Sequence, residues 1–367
     1  MRICADLSRG VICLRNFRGN NSKFIIIMVK EFTEKVSDRG VLGFFKVLLR
    51  GAGQVMFQGS AWTGLFFIVG IFWGAYASHT PEVAWGALLG LMVSTTTGYL
   101  LNLPDEDGRQ GLWGFNGILV GCAFPTFLGN SIWMWLSLVL CAALTVWVRE
   151  GFNNVMKKWK VNSFTFPFVA STWLFMLAAR AMYGLDATHL ATPELPSRLA
   201  TGGLLYWDQF VLYWLRNVSQ VFLIDSWVTG LLFLIGLLIA SRWAALWAAI
   251  GSVLAIFTAS ALSASSDSIA QGLYGFSAVL TAIALATVFY RPGWRSAIWA
   301  LLGVIVTVVS QAAMNVMLDP LGLSTLTAPF CIATWVFLLP MFKLDEAQPD
   351  HSHWSPKLKR HLMTDQS

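Results

Sequence analysis

Two stretches decide the reading: FTFPFVASTWLF at residues 164–175 and LTAPFCIATWVF at residues 326–337. Each sets a threonine, Thr165 or Thr327, two residues before a proline, Pro167 or Pro329, at the head of an apolar run. Proline has no amide hydrogen and favours the first turn of a helix, so each threonine stands where a helix starts. Working outward, the likeness extends. RGAGQVMFQGSAWTG (50–64) aligns with RNVSQVFLIDSWVTG (216–230), pairing Gln54 with Gln220 and Gly64 with Gly230. RQGLWGFNGILVG (109–121) aligns with AQGLYGFSAVLTA (270–282), pairing Gln110 with Gln271 and Phe115 with Phe276. Asn153 and Asn315 precede their threonines by equal distances, and the offset between partners stays near 161 to 166 residues throughout. The chain is a duplication.

Composition gives its setting. Of 367 residues, 56% are hydrophobic and 12% charged, about half the charged share of a soluble domain. Water cannot solvate such a surface, whereas lipid can, and 18 Trp and 26 Phe suit a bilayer protein with interfacial aromatics. The net charge of +6 is scattered over short loops and forms no nucleic-acid patch. Cys4, Cys13, Cys122, Cys141 and Cys331 have no metal-binding spacing, so no metal or cofactor is implied. Residues 1–23 are basic but lack the apolar core of a cleavable signal; residues 24–28 are too short to span, and Met28 offers an alternative start.

Apolar runs of about the length that crosses a bilayer recur near residues 41–57, 62–77, 83–101, 132–148 and 165–183, then near 206–224, 228–239, 243–262, 296–316 and 327–341. The Gly-rich segments beginning at Gln110 and Gln271 read as re-entrant, tolerated where buried in protein or lining a cavity. The expected fold is an all-α polytopic membrane protein of two inverted repeats, each with five transmembrane helices and one re-entrant helix. The divisions are an N-terminal cytoplasmic segment (1–35), a first repeat (36–185), an extracytoplasmic linker (186–205), a second repeat (206–343) and a cytoplasmic tail (344–367). An odd number of spans inverts the second copy. With the N-terminus inside, Lys157, Lys158, Lys160, Arg291, Arg295 and residues 357–360 fall inside. The loops with Asp105, Glu106 and Asp107, with Asp186 and Glu194, and with Asp319 fall outside, the positive-inside pattern.

The spans carry no convincing buried acid, base or histidine; Glu82, Glu150, Asp208 and Asp225 read as span-end residues. A charge at the bilayer centre is costly and marks ion or proton paths, so coupling to protons or sodium and a charged solute are both disfavoured. The spans do carry neutral hydrogen-bonding groups in symmetric pairs: Gln54 and Gln220, Thr165 and Thr327, Asn153 and Asn315. Such groups also serve as helix–helix glue, but pairing beside Pro and Gly breaks favours the lining of a path at the repeat interface. Phe57, Phe115 and Phe276 make a flat slot that selects a planar solute and refuses hydrated ions. The solute class is small, neutral and polar.

At these residues the sequence resembles the urea transporter family, from about residue 50 to 340. The family's doubled LPxxTxPF motif reads VNSFTFPF (161–168) and LSTLTAPF (323–330), with the TxPF cores intact and the leading LP lost. GLWGFN and GLYGFS resemble its GLYGFN segments, Ser277 replacing Asn in the second. The resemblance implies a channel-like urea facilitator in the membrane, assembled as a homotrimer with one pore per protomer. By motif position it implies that Gln54 and Gln220 flank outer and inner sites and that Thr165 and Thr327 line the constriction. The slot would comprise Phe57, Phe115, Leu119, Val221, Phe276 and Leu280. Leu223 stands where symmetry with Phe57 asks for an aromatic, so the two ends of the slot differ.

Rivals fare worse. An ammonium channel would place histidines in the pore, and all five His lie outside the spans. A water or glycerol pore would show paired NPA motifs, and an enzyme would need a base, nucleophile or metal set; neither occurs. The alternative is a channel for another small neutral solute: short amides, ammonia or water. A bacterial inner membrane is preferred because the chain is compact and offers few sites for secretory processing.

Overall fold

The computed structural model describes residues 4–6, 11–13, 40–195, 205–342 and 344. Residues 24–28 with Met28, residues 196–204 of the linker, and the tail from 345, with its basic run at 357–360, lie outside the described residues. The chain divides into units 1–46 and 47–367. The first holds an antiparallel pair, β1 (Cys4–Asp6) and β2 (Val11–Cys13), with Cys4 opposite Cys13.

From residue 40 onward the described chain is helical. The first copy contains α1 (Gly40–Gln54), α2 (Ala61–Ala77), α3 (Pro81–Leu100), the short α4 (Asp105–Arg109), α5 (Phe115–Phe127), α6 (Ile132–Met156) and α7 (Phe166–Ala181). The second contains α8 (Phe210–Ser219), α9 (Trp227–Ala240), α10 (Arg242–Ala261), the short α11 (Ser266–Ala270), α12 (Phe276–Ile283), α13 (Trp294–Leu318) and α14 (Ala328–Leu338). Serine side chains cap the starts of α2, α6, α9 and α10, where Ser60, Ser131, Ser226 and Ser241 accept the amide hydrogens of Thr63, Met134, Thr229 and Ala244. Proline occupies the first turn of α3, α7 and α14. Large apolar side chains such as Trp62, Trp133, Trp243 and Leu238 are exposed outward, as a lipid-facing surface requires.

Four stretches among the described residues are long and apolar enough to cross a bilayer: Pro81–Leu100, Ile132–Trp159, Arg242–Ala261 and Trp294–Leu321. The pair Trp207–Phe222 and Trp227–Ala240, bent by 75°, makes a fifth when taken as one broken span. The other apolar helices run 10–17 residues. This differs from the expected division. The segment from Gln110, expected to dip and return, instead packs lengthwise on α3. Its α5 carbonyls at Gly117 and Gly121 sit where a Cβ on Gly90 or Gly86 would fall, and Trp113 lies on Gly98. The glycines of α3 and α5 are close-contact surfaces. The interruption falls instead between α1 and α2 and between α8 and α9.

One further expectation is overturned. Arg149 Nη2 lies 3.0 Å from Asp107 Oδ2, and Arg149 stands about two helical turns before Lys157. The Asp105–Arg109 helix therefore sits at the same end of α6 as the Lys157–Trp159 turn, not at the opposite end. Assuming that the segment after Gln110 returned to its own side had misplaced this loop.

The two copies exchange contacts. Thr63 Oγ1 donates to the Gly236 carbonyl at 2.8 Å, and Thr229 Oγ1, its repeat partner, donates to Gly70 at 2.8 Å. Trp173 Nε1 donates to Ser324 O at 2.9 Å, and Trp335 Nε1 to Asn162 O at 2.9 Å. Reciprocal pairs of this kind are what a two-fold relation produces.

Candidate functional site

Two cavities flank the point where the TxPF stretches meet. The first, about 40 Å³, is lined by residues that include Gln54, Phe57, Phe115, Asn153, Thr165 and Phe330. The second, about 300 Å³, is lined by residues that include Gln220, Val221, Phe276, Leu326, Thr327 and Phe168. Each thus borrows a phenylalanine from the other copy's TxPF stretch. Between them the hydroxyls of Thr165 and Thr327 lie 2.7 Å apart, both threonines buried, and Thr165 Oγ1 also lies 3.4 Å from Cys331 Sγ.

The breaks shape the walls. Phe57 and Leu223 follow the ends of α1 and α8, and Phe164 and Leu326 precede the two threonines. All four hold left-handed backbone, with φ of 62°, 58°, 51° and 50°. Non-glycine residues avoid that region because Cβ crowds the carbonyl, and such strain concentrates where a site needs it. Here it turns the chain so that these four side chains face the cavities.

Gln54 and Gln220 hold matching positions. Gln54 Nε2 donates to Gln110 O at 3.0 Å and Gln220 Nε2 to Gln271 O at 2.9 Å. Each cavity receives a glutamine that spends one amide hydrogen on a backbone carbonyl and has a second hydrogen and its oxygen beyond that bond. Asn153 lines the first cavity, its Oδ1 accepting the Ser163 amide at 2.9 Å. Asn315 is not among the second cavity's lining residues; its Oδ1 accepts from Gln311 at 3.0 Å. Leu119 and Leu280 are fully buried and outside both linings. Asn116 accepts the Phe168 amide at 3.1 Å and so steadies the start of α7, whereas the Oγ of Ser277, in the matching place, is buried without a partner.

Phe164 and Phe330, which join Phe57 on the wall of the first cavity, and Phe289 beside them were not singled out from the sequence. Phe57, Phe164, Phe289 and Phe330 form an aromatic cluster with centroid distances of 5.4 to 6.4 Å. Phe164 and Leu326 could have been found as the residues directly before each TxPF threonine. A buried base was not singled out either. Arg149 lines the first cavity, its side chain 8% exposed, ion-paired with Asp107 and Glu150. The expectation of spans free of buried charge is corrected here, because a carboxylate 42 residues away compensates the guanidinium. In the second copy Arg216 pairs with Asp225 at 3.0 Å beside the larger cavity. Among the described residues no cluster of three His, Cys, Asp or Glu could hold a metal.

Comparison with known proteins places the chain in a family. The family described as Urea transporter matches residues 45–341. Urea transporter 1 of sheep (Ovis aries) is 32% identical, with 85% of this chain and 81% of that protein covered. Urea transporter 1 of goat (Capra hircus) gives the same figures, and that of mouse (Mus musculus) is 29% identical over equal shares.

Proposed function

Because the chain belongs to the urea transporter family, we propose that urea moves passively along the line from the Gln54 cavity, past Thr165 and Thr327, to the Gln220 cavity. The protein is a multi-pass membrane transporter and not an enzyme, and it facilitates the movement of urea across the membrane. The observation that carries the proposed path is the contact between the two threonine hydroxyls, 2.7 Å apart and each facing a cavity. Urea offers N–H donors and one carbonyl, and the proposed lining answers with glutamine oxygens at the ends and hydroxyls at the waist. Phe57, Phe115, Val221 and Phe276 supply apolar faces that a planar solute can slide along, while an ion would shed water without replacement. Leu119 and Leu280 are proposed to support these walls from behind.

The proposed architecture is two repeats inverted in the bilayer, 36–185 and 206–343, joined by an extracytoplasmic linker at 186–205. Each crosses five times if α1 with α2, and α8 with α9, each count as one broken span. The exchanged Thr63 and Thr229 bonds support the two-fold relation. Cytoplasmic termini are supported by Lys157, Lys158, Lys160, Arg291 and Arg295 in loops that parity assigns to one side. The acids at 105–107 now join that side, and acids weigh little in this rule. A homotrimer with one pore per protomer is proposed from the family resemblance, and a bacterial inner membrane from the compactness of the chain.

The test is solute flux into liposomes carrying the purified protein. Urea should equilibrate faster than in empty vesicles, with a rate that an imposed proton gradient does not change. Uphill accumulation driven by the gradient would replace a passive path with a coupled one.

A further inference from the structure

We propose that Arg149 is a specificity-determining residue, whose guanidinium takes the carbonyl oxygen of the solute as the solute sheds water on entering the Gln54 cavity; this rests on the transport path given above. Arg149 follows the long apolar run of α6, its side chain 8% exposed. Burying a guanidinium is costly unless it is paired, and here Asp107 Oδ2 at 3.0 Å and Glu150 pair it. A clasp fastening α4 to α6 would account for those two contacts. It does not account for the place of Arg149 on the cavity wall beside Gln54, Asn153 and Thr165. Nor does the repeat require a charge there. The matching residue is Gln311, whose Nε2 is turned to Thr325 Oγ1 at 2.6 Å and Asn315 Oδ1 at 3.0 Å, and which is not among the second cavity's lining residues.

The chemistry of the wall explains what such a group contributes. A urea-like solute presents four N–H hydrogens and one carbonyl oxygen. The cavity is well supplied with acceptors for the hydrogens, among them the Gln54 oxygen and the Thr165 hydroxyl. Neutral donors for the carbonyl are present, since Gln54 spends only one of its two amide hydrogens on Gln110, but among the lining residues Arg149 is the charged one. Guanidinium carries five N–H donors in a fixed plane, and the two carboxylates take one bond each from Nη1 and Nη2. At about 40 Å³ the cavity leaves little room for a hydrated solute, so a carbonyl must trade its water for a protein donor at this point. A bond from a charged donor is stronger than one from a neutral amide, which lowers the entry barrier for solutes with a good acceptor.

Paired fluxes of urea and thiourea in liposomes test this, because sulfur is the weaker acceptor on a solute of the same plan. Arg149→Gln, which installs the second copy's residue, should lower urea flux about tenfold, the worth of one charge-assisted bond. Thiourea flux should fall much less, so the urea-to-thiourea ratio drops. Arg149→Lys keeps a charged donor but not the planar fork, and should give an intermediate ratio. If Arg149→Gln does not fold, as judged by its melting in detergent, the Lys variant decides by its ratio alone. A wild-type ratio in the variant that folds, with both fluxes lowered in parallel or neither lowered, makes Arg149 a fastener and overturns the assignment. Wild-type protein that passes neither solute faster than empty vesicles overturns the transport path itself, and this assignment with it.

Discussion

The cavity beside Gln54 measures about 40 Å³ and the one beside Gln220 about 300 Å³, although both grow from the same backbone plan. The plan repeats closely: φ is 62° at Phe57 and 58° at Leu223, 51° at Phe164 and 50° at Leu326. What differs is the side chains hung on it. The first copy sets Phe57 and Phe164 into a cluster with Phe289 and Phe330, where the second sets Leu223 and Leu326. The first adds Arg149, where the second has Gln311. The two copies share the backbone course, and their side chains make one end tight, with a carboxylate-paired guanidinium on its wall, and the other wide.

Removing what the two ends share gives the largest expected effect. Thr165→Val with Thr327→Val deletes both waist hydroxyls at nearly constant volume. At about 1 kcal/mol per lost bond, or about fivefold per site, the pair should slow urea flux about twentyfold in stopped-flow measurements while the melting temperature in detergent moves little. Flux unchanged in the double variant would reassign the threonines to packing. Exchanging what the ends do not share comes next. If the tight cavity limits the rate, Phe57→Leu should raise urea flux about twofold, and Leu223→Phe should bring the wide end toward the tight one and lower flux by a similar factor. A slower Phe57→Leu channel would show that the ring guides the solute rather than obstructing it. The smallest effect concerns the equality of the copies far from the path. Thr63→Val and Thr229→Val each remove one buried bond to the opposite copy and should each destabilise by about 1 kcal/mol, with flux unchanged. Unequal losses in chemical denaturation would mean that the exchanged bonds are not energetically equivalent.

Much of this was legible before any coordinates. The repeat, the helix starts at Pro167 and Pro329 and the pairing of Gln54 with Gln220 follow from spacing and from the backbone chemistry of proline. Three things were not. Gly86, Gly90, Gly117 and Gly121 signal weak helix in a single sequence, and only their mutual contact shows that they let α3 and α5 approach. Glu150 read as a span-end residue and Arg149 beside it went unread, because the Asp107 that compensates it lies far away in the chain. The left-handed backbone at Phe57 and Phe164 has no sequence signature, since neither is a residue that favours it. Length did not show the bend either: the stretch read as two short spans near 206–224 and 228–239 is a pair of helices bent by 75°, as in a broken span or a re-entrant loop.

The two threonine hydroxyls own one proton each, and their contact consumes only one. When Thr165 donates to Thr327, the Thr327 proton is released toward the wide chamber. When Thr327 donates, the Thr165 proton is left with the weak sulfur acceptor of Cys331 or with the narrow chamber. Rotation of both hydroxyls about their C–O bonds exchanges these states. A molecule carrying both an oxygen and N–H groups finds a matching face from either direction. On the proposed path such a waist has no preferred sense, and the concentration difference alone sets the direction of flow.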